Sequence, residues 1–200
     1  SNSHNGRYEN AVRLIDDAKR IGADFVKFQA YTPDELVALR GDGPAPAQWG
    51  EQGWSMRDLY EKARTPLEWF PDLADHCRSV GIPWFASVFG PQSMRVVLNL
   101  GCPALKVAAL DRRASGWTNR VRQAGPPVLV STPDLNPPPM YAAEWLYCPP
   151  GYPTKPEDVR LPDFRRGEFL GLSSHCLDPL LPVAAVARGA RAEFLDEHLV

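Results

Sequence analysis

Residues 169–198 read FLGLSSHCLDPLLPVAAVARGARAEFLDEH, and this stretch decides the fold. Two strand-like runs, Phe169 to His175 and Ala192 to His198, each end on a histidine. Between them, Pro179 to Gly189 reads as a helix. Strand, helix, strand is a βαβ unit, so the two runs are expected to be parallel neighbours. Neighbouring strands lie about 4.8 Å apart, so side chains at their C-terminal ends come within reach of one metal ion. His175 and His198 are therefore the candidate metal ligands.

Working upstream, the same alternation recurs. Ala11, Leu14, Ile15, Ala18 and Ile21 follow helical spacing, and Gly22 supplies the stop. A strand is expected over Asp24 to Gln29, then a long polar loop from Thr32 to Ser55. Thr65, Pro66 and Glu68 read as N-cap, first helical position and capping-box acid of a helix ending at Gly81. Strands then follow over Pro83–Val88, Ala104–Ala109, Val128–Ser131 and Trp145–Cys148, with helices over Pro91–Leu100 and near Trp117–Ala124. Seven strand-like runs, most of them starting roughly 17 to 24 residues apart, predict a single α/β domain over residues 1–200. The architecture expected is a compact (β/α)8 TIM-type barrel rather than a doubly wound sheet. Ser1 to Gly6 resembles the loop after a first strand, so that strand is expected ahead of residue 1.

Composition narrows the classes. A hydrophobic fraction of 44% and a net charge of -2 describe an ordinary globular chain with no general pull toward nucleic acid or membrane. Four cysteines without C-x-x-C spacing read as reduced, buried thiols, and hence a cytoplasmic protein.

The C-terminal strand ends of a barrel carry its chemistry. Lys27 and Gln29 are two apart and share a strand face. Lys106 lies within a strand. Ser87, Ser131 and Ser173 end theirs, and Tyr152 follows the sixth. Lysines with hydroxyls in one mouth suit a phosphate or carboxylate. A strand-end serine is equally a turn residue, and a strand lysine can reach solvent or pair with an acid.

These residues resemble the sialic acid (N-acetylneuraminate) synthases. The likeness runs through His4-Asn5-Gly6, Gly22 to Gln29, Gly81-Ile82-Pro83-Trp84-Phe85-Ala86-Ser87, Lys106-Val107-Ala108 and Pro127 to Thr132. It continues through Cys148 with Tyr152-Pro153-Thr154, Gly171-Leu172-Ser173-Ser174-His175 and Asp196-Glu197-His198. The resemblance implies condensation of phosphoenolpyruvate with an N-acylated aminosugar, giving a nonulosonic acid and phosphate. It implies a divalent metal on His175 and His198, manganese first and magnesium or cobalt as alternatives, acting as a Lewis acid on the sugar aldehyde. Lys27, Lys106 and Asp196 are then the catalytic residues. Gln29, Ser87, Ser131, Tyr152 and Ser173 are the substrate-binding residues, and a homodimer is the expected assembly. The chain departs from the family at Ala109, Pro150, Ser174 and Asp196, and no counterpart of the C-terminal antifreeze-like domain is visible. The rival readings are a non-catalytic scaffold on the same barrel and a metal-dependent aldolase.

Overall fold

A computed structural model describes residues 3–47, 53–112 and 116–195. The chain divides into two compact units at Leu105/Lys106. The first holds α1 (Tyr8–Arg20), β1 (Val26–Ala30), α2 (Pro33–Arg40), α3 (Met56–Ala63), α4 (Phe70–Val80), β2 (Trp84–Val88) and α5 (Pro91–Asn99). Strand β3 (Leu105–Val107) begins in the first unit and ends in the second. The second holds α6 (Trp117–Arg122), β4 (Val128–Thr132), β5 (Glu144–Tyr147), β6 (Gly171–Ser174), α7 (Leu180–Ala187) and β7 (Ala192–Leu195).

In the first unit, β1 and β2 are parallel, with Lys27 opposite Phe85 and Gln29 opposite Ser87. Strand alternation then sorts the side chains. Phe28 and Trp84 turn to one face, where both rings meet Phe70 of α4. Lys27, Gln29, Phe85 and Ser87 occupy the other. Helix α1 buries Ala11 and Ile15 as expected. Ile21 leaves that stripe: it is the C-cap residue, past the last helical turn, and is 73% exposed.

The predicted loop Thr32–Ser55 is corrected by helix α2 at its start, and a further helix, α3, follows directly after it. Thr32 and Glu35 form a reciprocal capping box that starts α2, with Pro33 in its first turn. Ser55 and Asp58 form another that starts α3. Near Thr65 the expectation fails in the other direction. Leu67–Trp69 is a single 3-10 turn, and α4 begins only at Phe70. Thr65 does not cap it; its hydroxyl is bonded to Nε2 of buried His4 at 3.0 Å. Gly81 ends α4 in the left-handed region at φ 70°, as expected.

In the second unit the strand order follows the chain from β3 to β7. The registers Ser131–Leu146, Leu146–Gly171 and Gly171–Ala192 put these residues on one face. Ser173, two residues on from Gly171, shares it. The opposite face carries Tyr147 and Leu172, which form a core with Phe164, Phe169, Leu181 and Ala185 beneath α7. Gly171 has a specific steric reason. A Cβ there would lie 1.7 Å from the Ala192 carbonyl oxygen.

The barrel expectation is met in part. Seven strands lie in chain order among the described residues, with α-helices between most of them but none between β4 and β5, and no eighth strand is found there. The β5–β6 connection carries only 3-10 turns, Pro156–Asp158 and Phe164–Arg166. What is shown is a parallel α/β sheet order, not a closed ring.

Candidate functional site

The chemistry of the second unit gathers on the face shared by Ser131 and Ser173. Lys106 is 3% exposed, and its ammonium donates to Ser173 Oγ at 2.9 Å. Two strands separate β3 from β6 in the sheet order. In a flat sheet three spacings amount to about 14 Å, more than twice the reach of a lysine side chain. The sheet of this unit therefore curls, bringing Lys106 and Ser173 together on its inner face. Burying an ammonium is costly unless polar atoms surround it, so the lysine is neither snorkelling nor a surface residue.

Ser131 is also buried, and its Oγ has no hydrogen-bond partner among the described residues. An unfilled buried hydroxyl costs about 1–3 kcal/mol. A ligand oxygen beside Lys106 would remove that cost. Ammonium and hydroxyls facing inward make a site for a phosphate or carboxylate.

His175 follows β6 directly and is half-buried. Its carbonyl accepts from the Thr154 N–H at 3.1 Å. The Tyr152 ring packs on the imidazole, centroids 4.7 Å apart and tilted by 59°. Partial burial pushes the Tyr152 phenol above its ordinary value, so it stays a protonated donor at neutral pH. Thr154 anchors this loop. It is buried, its hydroxyl donates to the Gly151 carbonyl at 3.1 Å, and it bridges in parallel to Cys176. No role was assigned to Thr154 from sequence, although it closes the Tyr152-Pro153-Thr154 motif. Ser174 points to the other face, where its Oγ accepts from the Cys176 N–H at 3.0 Å. It acts as a local turn residue rather than a group facing Lys106.

Asp196 and His198 lie outside the described residues. No cluster of three or more His, Cys, Asp or Glu able to hold a metal occurs among the described residues. His175 alone is not a donor set, so no chemical step is assigned to a metal.

In the first unit, Lys27 and Gln29 are half-buried on one face of β1, and buried Ser87 lies opposite Gln29 on β2. The shared face expected from their spacing is observed. His4, read from sequence only as part of a loop motif, is a buried packing residue. Its Nδ1 accepts from the Gly6 N–H at 3.0 Å, which leaves the proton on Nε2 to face Thr65. Burial holds its pKa down at about 4.

Parallel strands in chain order, with a buried lysine and hydroxyls on an inner face, define an α/β protein equipped for an anionic ligand. The model of the NeuB family matches residues 14–136, and the chain belongs to that family. It is 30% identical over 228 residues to the pseudaminic acid synthase of Campylobacter jejuni, covering 100% of this chain and 63% of the relative. It is 28% identical over 220 residues to the pseudaminic acid synthase of Helicobacter pylori, covering 100% of this chain and 64% of the relative. The chain thus spans less than two thirds of these relatives. Its fold matches an N-acetylneuraminic acid synthetase from Leptospira borgpetersenii with TM-score 0.78 at 23% identity, covering 96% of this chain and 69% of that one.

Proposed function

We propose that the chain takes part in condensing phosphoenolpyruvate with an N-acylated aminosugar to give a nonulosonic acid and phosphate. The observation that carries this reading is the buried Lys106–Ser173 hydrogen bond on the face that also holds the unfilled Ser131 hydroxyl. Lys106, Ser131 and Ser173 would bind the anionic groups of phosphoenolpyruvate. Its enol carbon forms a bond to the sugar's aldehyde carbon, the aldehyde oxygen takes a proton, water adds to the resulting cationic carbon, and the carbon–oxygen bond to phosphate breaks. Tyr152 would face the sugar, and family resemblance assigns substrate roles to Gln29 and Ser87 and catalytic roles to Lys27 and Asp196.

Membership of the NeuB family supports a divalent metal, manganese first, with His175 and His198 as the proposed ligands. When bound, such an ion supplies Lewis acidity toward an aldehyde oxygen. Cytoplasmic residence and a homodimer belong to the same proposal; no described helix is long and apolar enough to cross a membrane.

The test is phosphate release from phosphoenolpyruvate with manganese and a panel of N-acylated aminosugars. Release that depends on one acceptor is expected, with Lys106→Met slower by on the order of 100-fold, since a charge-assisted contact to an anion is lost. No release with any acceptor contradicts the reading. A repurposed barrel that binds without turnover is the second reading. It is favoured by Ser174, whose hydroxyl is turned to the Cys176 amide rather than toward Lys106. Phosphoenolpyruvate binding without phosphate release would select it.

A further inference from the structure

A cavity in the second unit is lined by none of Lys106, Ser131 and Ser173. It has a volume of about 420 Å³ and is lined in part by Arg112, Asn119, Arg122, Asp134, Met140 and Trp145. Its place on the sheet follows from register. Trp145 is opposite Val130 and alternates with Leu146, so it shares the helix-side face with Tyr147. Lys106, Ser131 and Ser173 occupy the other face. The β4–β5 connection contains no helix among the described residues, and Pro138 covers this face instead, accepting from Trp145 Nε1 at 2.8 Å.

The charges are not balanced. Arg112 is paired with Asp134 at 3.0 Å. Arg122 donates from its terminal nitrogens to two uncharged acceptors, Asn119 Oδ1 and the Tyr141 carbonyl. Its Nε is buried without a hydrogen-bond partner among the described residues. One net positive charge therefore stands beside an apolar wall of Met140, Pro138 and the Trp145 ring. The other large cavity, near Lys62 and Arg64, differs: Arg64 is paired with Glu61, and Asp58 is occupied by capping Ser55.

We propose that this cavity binds a small organic monocarboxylate with an aromatic or aliphatic body. The carboxylate pairs with the Arg122 guanidinium, and the body lies against Trp145 and Met140. A cavity of this size holds a compact ligand. A single anionic charge matches the surplus cation, whereas a dianion would overcompensate it. The proposal does not depend on the condensation reading, since none of its residues belongs to the strand-end site.

The test is calorimetric titration of the full chain with benzoate, with benzyl alcohol as the uncharged control. The Trp145 indole N–H resonance, assigned through Trp145→Phe, reports the location. Saturable one-to-one benzoate binding that shifts this resonance is expected. Arg122→Met should weaken it about tenfold or more, and benzyl alcohol should bind weaker by a similar factor. Lys106→Met should leave the affinity unchanged. If Arg122→Met does not fold, Met140→Trp, which crowds the cavity and keeps both arginines, should abolish binding. The proposal is overturned by an absence of saturable binding, by equal affinity for benzyl alcohol, by benzoate binding lost in Lys106→Met but kept in Arg122→Met, or by unchanged affinity in Met140→Trp.

Discussion

Gly171 shows how a single residue is fixed by its neighbours. A methyl group there would sit 1.7 Å from the Ala192 carbonyl oxygen, so β6 and β7 could not keep their register. Gly171→Ala is expected to destabilise the protein by about 3 kcal/mol or more, read as a lower denaturation midpoint. A midpoint equal to wild type would refute the close approach. His4 gives a pH-dependent prediction. Burial lowers its folded pKa to about 4 from an ordinary 6.5, so the unfolded chain takes up a proton first as pH falls. The stabilising contribution is complete above about 6.5 and is lost progressively down to about 4, by up to roughly 3 kcal/mol. His4→Gln should flatten the pH dependence of stability in that window; identical slopes would count against it. Some of this was legible in the sequence. The shared face of Lys27 and Gln29 follows from a period of two, and the place of Lys106 within a strand from its apolar neighbours; its burial came only with the structure. The unfilled Ser131 hydroxyl and the His4–Thr65 bond were not, because they depend on partners distant in sequence.

Elements teach a related lesson through two copies of one signal. Thr32-Pro33-Asp34-Glu35 and Thr65-Pro66-Leu67-Glu68 both read T-P-x-E. The first makes a capping box; the second makes a 3-10 turn. The difference is tertiary. Thr65 Oγ1 accepts from His4 Nε2, whereas Glu35 caps its own helix and also accepts from the Gln92 and Ser93 amides at 2.7 and 3.1 Å, at the start of α5. Glu35 is held so closely that a Cβ on Gly90 would meet it at 2.3 Å. Thr32→Ala should therefore cost about 1 kcal/mol, measured by chemical denaturation. No measurable cost would show the capping box to be incidental. Strand positions were well marked by apolar runs between turn residues. The two helices bordering the Thr32–Ser55 stretch were hidden because that stretch is polar and lacks a long apolar stripe, although both capping motifs were present to be read.

At the scale of the molecule, the order of parallel strands was legible from the alternation of apolar runs, whereas the closed ring expected from their number is not found among the described residues. Lys106 within its strand and the strand-end serines were named from sequence, but their convergence required the curl that carries Lys106 to Ser173. That convergence carries the proposal that the inner face of the second unit holds phosphoenolpyruvate. Equilibrium titration of phosphoenolpyruvate against wild type and Lys106→Met tests it most directly. Saturable binding to wild type, weakened on the order of 100-fold in the variant while the fold is retained, is the expected result. Equal affinity in the two proteins, or no binding to either, would contradict the account.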